Sequence, residues 1–217
     1  MNISMLLDMA ADAFGERTAV VCGGRSLTYA EVRQKAQRAA VKLRESGVEY
    51  LALLDVNGPV LPVAIFAAGY AGIPYVPLNY RLTREEINAL LERVAPALLV
   101  VGDEFRAQVD KRDELLMISS DEFINAPAAA FEEEFVDPES VAVQLFTSGT
   151  TGKPKAALLR HENLVSYIVG TVEFGAAAEE DAVLVTVPPY HIAGISAVLS
   201  STYACRRMVQ LENFEAG

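Results

Sequence analysis

Short, uninterrupted apolar runs alternate along this chain with amphipathic stretches, and that alternation limits the fold more than any other feature. Val48–Val56, Ala97–Val101, Leu115–Ile118, Val141–Phe146 and Ala182–Val187 are such runs. Their length and continuity predict strands covered on both faces. Between the first runs the period changes. Over Tyr29–Ser46, Val32, Ala36, Ala39, Ala40 and Leu43 recur at helical spacing on one face. Thr28 with Glu31, and Thr83 with Glu86, have the three-residue spacing of a capping box. Gly47 and Pro96 stop the two helices. Strand–helix alternation of this kind predicts an α/β fold: a layered, mostly parallel β-sheet flanked by helices on both faces.

One stretch raises the question of a membrane. Val56–Tyr80 carries no charge and exceeds the roughly 20 residues that span a bilayer. Asn57, Pro59, Pro62, Gly69, Gly72, Pro74 and Pro77 interrupt it. It is therefore read as a buried helix near Val60–Tyr70, a turn, and a strand at Tyr75–Pro77, with no transmembrane segment. The first residues lack a basic cluster and contain Asp8 and Asp12, unlike a signal peptide. Cys22 and Cys205 read as small buried residues, which fits a reducing cytoplasm. Two histidines, His161 and His191, give no metal-ligand spacing, so no metal ligand is assigned. His161 is read as a helix-start residue.

At 52% hydrophobic residues, 217 residues suffice for a real core. The formal charge of −11 argues against a nucleic-acid binder. Residues 126–139, with alanines, two prolines and an acidic run, are the candidate internal linker, and Glu132–Glu134 reads as solvated surface.

Chemistry concentrates in Thr147–Lys155 (TSGTTGKPK), which directly follows a predicted strand. Glycines allow close backbone approach to a ligand. Successive N–H groups and hydroxyls can surround phosphate oxygens, and lysine adds a compact charge. Only Thr150 and Thr151 separate Gly149 from Gly152, so this is no Walker A loop. The residues alone leave two readings open, a polar surface turn and a phosphate cradle.

TSGTTGKPK closely resembles the signature loop of the adenylate-forming superfamily, which includes acyl-CoA synthetases. LTYAEV at Leu27–Val32, AGIPYVPLN at Ala71–Asn79 and PPYHIAG at Pro188–Gly194 resemble other family segments, in the family's order. Ala156 departs from the glycine usual there. The resemblance implies the N-terminal subdomain of the acyl-CoA synthetase-like fold. Residues 1–217 would be an N-terminal fragment of the large AMP-binding domain, with the rest of that domain and the C-terminal domain absent. It implies a parent enzyme that uses ATP, Mg2+ and CoA. A carboxylic acid becomes acyl-AMP and the acyl group then passes to CoA. The alternatives are transfer to an acyl carrier protein, or a non-catalytic binding module. By the same resemblance Thr147, Ser148, Gly149, Thr150, Thr151, Gly152, Lys153 and Lys155 would hold the ATP phosphates. Lys153 would neutralise departing pyrophosphate, and His191 would orient the carboxylate and gate access. Pro188–Gly194 lacks the Asp that amino-acid-activating relatives use, and Ile192, Ile195, Val198 and Leu199 follow. A fatty acid is therefore the expected substrate, with aryl acids as the alternative. A homodimer is an open expectation.

Overall fold

Helix α1 (Ser4–Phe14) leads into a tight hairpin of β1 (Thr18–Cys22) and β2 (Arg25–Thr28) in the computed structural model, which describes residues 1–147 and 154–212. Gly23 and Gly24 make the turn at φ of 54° and 79°, the left-handed pair that a two-residue hairpin loop requires. Helix α2 (Tyr29–Ser46) begins at the expected capping box. Thr28 accepts from the Glu31 N–H, and the Glu31 carboxylate accepts from the Thr28 N–H. Gly47, at φ 66°, closes the helix. The chain continues through β3 (Tyr50–Leu54), α3 (Val60–Ala71), β4 (Tyr75–Pro77), α4 (Arg84–Leu91), β5 (Ala97–Val101), β6 (Leu115–Ser119) and α5 (Ser120–Ile124). It ends with β7 (Val141–Thr147), β8 (Lys155–Arg160), α6 (His161–Thr171), β9 (Ala182–Val185), α7 (Ile192–Tyr203) and β10 (Arg207–Gln210).

The fold is the expected layered α/β arrangement, but its strands divide between two sheets. A six-stranded sheet runs β6-β5-β3-β4-β7-β8, parallel except for β8. A four-stranded sheet runs β2-β1-β10-β9, parallel except for β2. Strand β3 shows why the apolar runs were continuous. Leu51 and Leu53 join a core shared with α1, α2 and α3, while Ala52 and Leu54 join a second core under α4. Val56–Tyr80 is the loop, α3 and β4. Val60 to Tyr70 is buried throughout, and such all-round burial explains a helix without a polar face. Among the described residues no helix is long and apolar enough to cross a membrane.

Residues 126–140 cross the α2–α3 layer before β7 rejoins the six-stranded sheet beside β4. Arg44 holds this crossing. Its guanidinium donates to the carbonyls of Tyr70 and Glu132, pairs with Glu134 at 3.1 Å, and lies 5.3 Å from the Phe131 ring centroid. Phe131 in turn meets Tyr70 edge-on at 5.1 Å. Cys22 and Cys205 are free and buried.

His161 starts α6, as expected, and is also fully buried. Its Nδ1 accepts from the Ile3 N–H at 3.3 Å, which ties the chain start to α6. Nε2 is buried with no hydrogen-bond partner among the described residues. Burial, then the nearby N-terminal ammonium, lowers its pKa from 6.5 to about 4. Below pH 6.5 the unfolded chain takes up a proton that the folded chain refuses. The stability tied to neutral His161 is thus complete above pH 6.5 and falls as pH drops towards 4. In thermal melts, wild type is expected to lose more stability over that window than His161→Gln. Parallel pH curves for the two proteins would remove His161 from the acid response.

Candidate functional site

Thr147 and Lys155 are paired neighbours on β7 and β8, so the two ends of the glycine-bearing segment close on each other. The Thr147 hydroxyl donates to the Lys155 carbonyl at 3.3 Å. Ser148, Gly149, Thr150, Thr151, Gly152 and Lys153 lie outside the described residues. Ala156 sits within β8 opposite Phe146, and it is exposed. Its methyl therefore occupies a strand position with free space outward. Lys155 is likewise exposed.

Sequence reading missed a residue that grips this base. Arg93, in the turn after α4, donates to the Pro154 carbonyl at 2.7 Å. Its guanidinium also lies 4.8 Å over the Phe146 ring. One side chain thus touches both stems of the loop. Its only sequence signal was a basic residue in an exposed helix end, which is common on any surface.

His191 caps α7 from a turn in which its N–H donates to the Pro188 carbonyl at 3.1 Å. Its side chain is exposed. The Tyr190 ring packs against it at 4.7 Å, and Tyr190 meets Tyr80 edge-on at 5.2 Å. Tyr80 stacks on Phe105 at 5.2 Å. Tyr80 follows β4, the neighbour of β7. The structure thereby joins the Pro188–Gly194 turn of the smaller sheet to the rim of the larger sheet that carries Thr147. Of the other residues after His191, Ile195, Val198 and Leu199 are fully buried in the core. Ile192, by contrast, is 44% exposed.

A cavity of about 480 Å³ opens at the carboxyl ends of β3, β5 and β6, away from the loop. Asp55, Asp103, Glu104, Asp121 and Glu212 line it, with Arg25 paired to Asp121. Burial raises the Asp55 pKa, against the opposing hydrogen bonds from the Ser120 hydroxyl and the Val56 N–H. A wall so acidic repels polyphosphate, so this opening is a poor nucleotide site.

Residues 7–216 match the family model described as "AMP-binding enzyme". The chain belongs to the AMP-binding enzyme family. It is 31% identical over 214 residues to the indoleacetate–CoA ligase of Aromatoleum aromaticum, an alignment covering 90% of this chain and 42% of that protein. Among solved structures, it resembles a fatty acyl CoA synthetase of Mycobacterium tuberculosis with TM-score 0.82 at 22% identity, over 99% of this chain and 45% of that one. The o-succinylbenzoate CoA synthetase of Bacillus subtilis, in complex with its acyl-adenylate intermediate, gives TM-score 0.76 at 25% identity, over 97% and 56%. The chain therefore spans well under half of the curated relative's length. In this chain, Arg93→Ala is expected to speed amide hydrogen exchange at Phe146, Thr147 and Ala156 while β3 and β5 stay protected. Unchanged exchange at the β7–β8 end would show that Arg93 does not hold the loop base.

Proposed function

We propose that this chain forms the nucleotide-loop half of an ATP-dependent acid–thiol ligase, the N-terminal part of a larger AMP-binding domain. The enzyme would join an amine-free carboxylic acid to the α-phosphate of ATP, release pyrophosphate, and pass the acyl group to CoA. The observation that carries this reading is the pairing of Thr147 with Lys155 at the mouth of a β7–β8 hairpin, in a chain matching the AMP-binding family over residues 7–216. A closed base of this kind would suit a segment whose backbone N–H groups and hydroxyls surround one phosphate group.

In the proposed mechanism Thr147, Ser148, Thr150 and Thr151 supply hydroxyls and N–H groups to the β- and γ-phosphates. Gly149 and Gly152 let the backbone approach them. Lys153, with Lys155 beside the base, offsets negative charge while the carboxylate attacks phosphorus and pyrophosphate leaves. Two anions meet and a third is expelled, so local positive charge is the main requirement. His191, on the opposing turn, orients the acid. Mg2+ would enter with ATP. Among the described residues no group of three His, Cys, Asp or Glu side chains gathers to hold a metal, so no step is assigned to such a cluster.

The absence of a carboxylate in Pro188–Gly194 supports an acid without an ammonium group, since an unpaired buried ammonium is costly. Within that class a fatty acid is the narrower reading. An aryl or arylacetic acid is the second, favoured by the relative that acts on indoleacetate.

Carboxylate-dependent exchange of labelled pyrophosphate into ATP tests the proposal, using a panel of alkyl and aryl acids. The product of the complete reading frame is expected to exchange, and Lys153→Ala to slow it by about a hundredfold. The 217-residue chain alone is expected not to exchange. Exchange by that chain alone would overturn its assignment as part of a larger catalytic domain. No exchange by the longer product with any acid would overturn the reaction itself.

A further inference from the structure

Three loops from two different sheets meet through aromatic rings. Tyr80 lies in the turn after β4. That turn is fixed by the Leu82 N–H donating to the Asn79 carbonyl at 3.2 Å, and by the Arg81 N–H donating to the Asn79 side chain at 2.9 Å. The Tyr80 ring is stacked on Phe105, which follows β5, with 26° between the planes. Phe105 is itself 8% exposed and packs in the core beneath α4. The ring therefore has a firm backing. The Arg81 guanidinium lies 5.8 Å from the Tyr80 centroid. The other aromatic contact of Tyr80 is Tyr190, at 77° and 5.2 Å from centroid to centroid, which packs on His191. Offset and edge-on pairs at these separations are attractive and directional. No hydrogen bond to the imidazole is made among the described residues, so ring packing is what those residues offer to orient it. The backbone of His191 is held from the smaller sheet, through the Pro188 turn and the start of α7. Thr147 and Lys155 are held from the larger one. Without a link, nothing local among the described residues would couple the imidazole to Thr147 and Lys155.

We propose that Tyr80 is a positioning residue which, through Tyr190, sets the orientation of the His191 ring relative to Thr147 and Lys155 at the mouth of the β7–β8 hairpin. The inference rests on the carboxylate-activating reading only for its kinetic consequence. The role needs the flat ring of Tyr80, not its hydroxyl, because the contacts are ring to ring. Phenylalanine at position 80 should therefore serve and an aliphatic residue should not. Tyr190 is the intermediate, and its replacement by leucine should release the imidazole equally.

The chain has only two histidines, so imidazole NMR resonances of the 217-residue protein report the matter directly. His161, buried elsewhere, reports the integrity of the fold. In Tyr80→Leu and Tyr190→Leu the His191 resonances are expected to move towards those of a free histidine while His161 stays in place. Tyr80→Phe is expected to keep both native positions. In the longer enzyme, Tyr80→Leu is expected to lower kcat/KM for the carboxylic acid about ten- to a hundredfold with KM for ATP unchanged, and Tyr80→Phe to restore it. A purely structural role would instead disturb His161 and both substrates together, and that result would overturn the proposal. So would native His191 resonances in Tyr80→Leu, or shifted resonances with wild-type acid kinetics. If wild-type enzyme activates no acid at all, the reaction reading fails, and the ring-orienting role of Tyr80 is then decided by the His191 resonances alone.

Discussion

Strand β3 must be covered on both faces, and most of the architecture follows from that requirement. A parallel strand has no solvent face to spend on polar side chains. Leu51 and Leu53 look into one core, Ala52 and Leu54 into the other. To cover both, the chain steps from β3 to β4 with α3 on one side, then returns past β3 to β5 with α4 on the opposite side. Right-handed crossovers in opposite directions along a sheet place their helices on opposite faces. The loops leaving the carboxyl ends of the parallel strands then share one rim. Asp55, Tyr80, Phe105 and Thr147 are all found at or just beyond those ends. The proposed chemistry is gathered there because the connections must begin there.

The same requirement explains what could be read from the sequence. Burial on both faces writes a continuous apolar run, so Ala97–Val101 and Tyr75–Pro77 were found with their limits intact. The capping boxes at Thr28 and Thr83 were legible because each is a local hydrogen-bond pattern within four residues. Strands β2, β8 and β10 left weaker marks. They are edges or partly exposed, and Arg25–Thr28, Lys155–Arg160 and Arg207–Gln210 include charged residues. Without β2 and β10, nothing in the sequence separated a second sheet from the first. In the site, the loop was read through resemblance, since its residues alone fit a surface turn as well. Arg93 and Tyr80 could not be read at all. Their partners lie dozens of residues away, and neither local period nor spacing encodes such contacts.

Charge adds a further division. The chain is strongly acidic overall, yet the proposed ligand is a polyanion. Long-range attraction is therefore unavailable, and binding must come from short-range groups held at fixed distance. The acidic cavity beyond β3, β5 and β6 illustrates the contrast. It is an opening of about 480 Å³, but its carboxylates set a potential opposed to phosphate. The β7–β8 end has instead Lys155 exposed, with Arg93 bridging the stems.

The apolar residues after His191 show how a substrate argument can be taken over by packing. Ile195, Val198, Leu199 and Thr202 follow the i, i+3, i+4, i+7 spacing of a helix face, and all four are buried. That stripe covers the core shared with α1, so its apolarity is accounted for without any ligand. It gives no preference between an alkyl chain and an aromatic ring. Ile192 stands outside the stripe and is 44% exposed. It is the residue of that set whose side chain has no core contact to explain it, and any acyl selectivity written into the start of α7 has to be sought there. An amine-free acid remains the proposed substrate class on separate ground, because no carboxylate is present in Pro188–Gly194 to pair with an ammonium group.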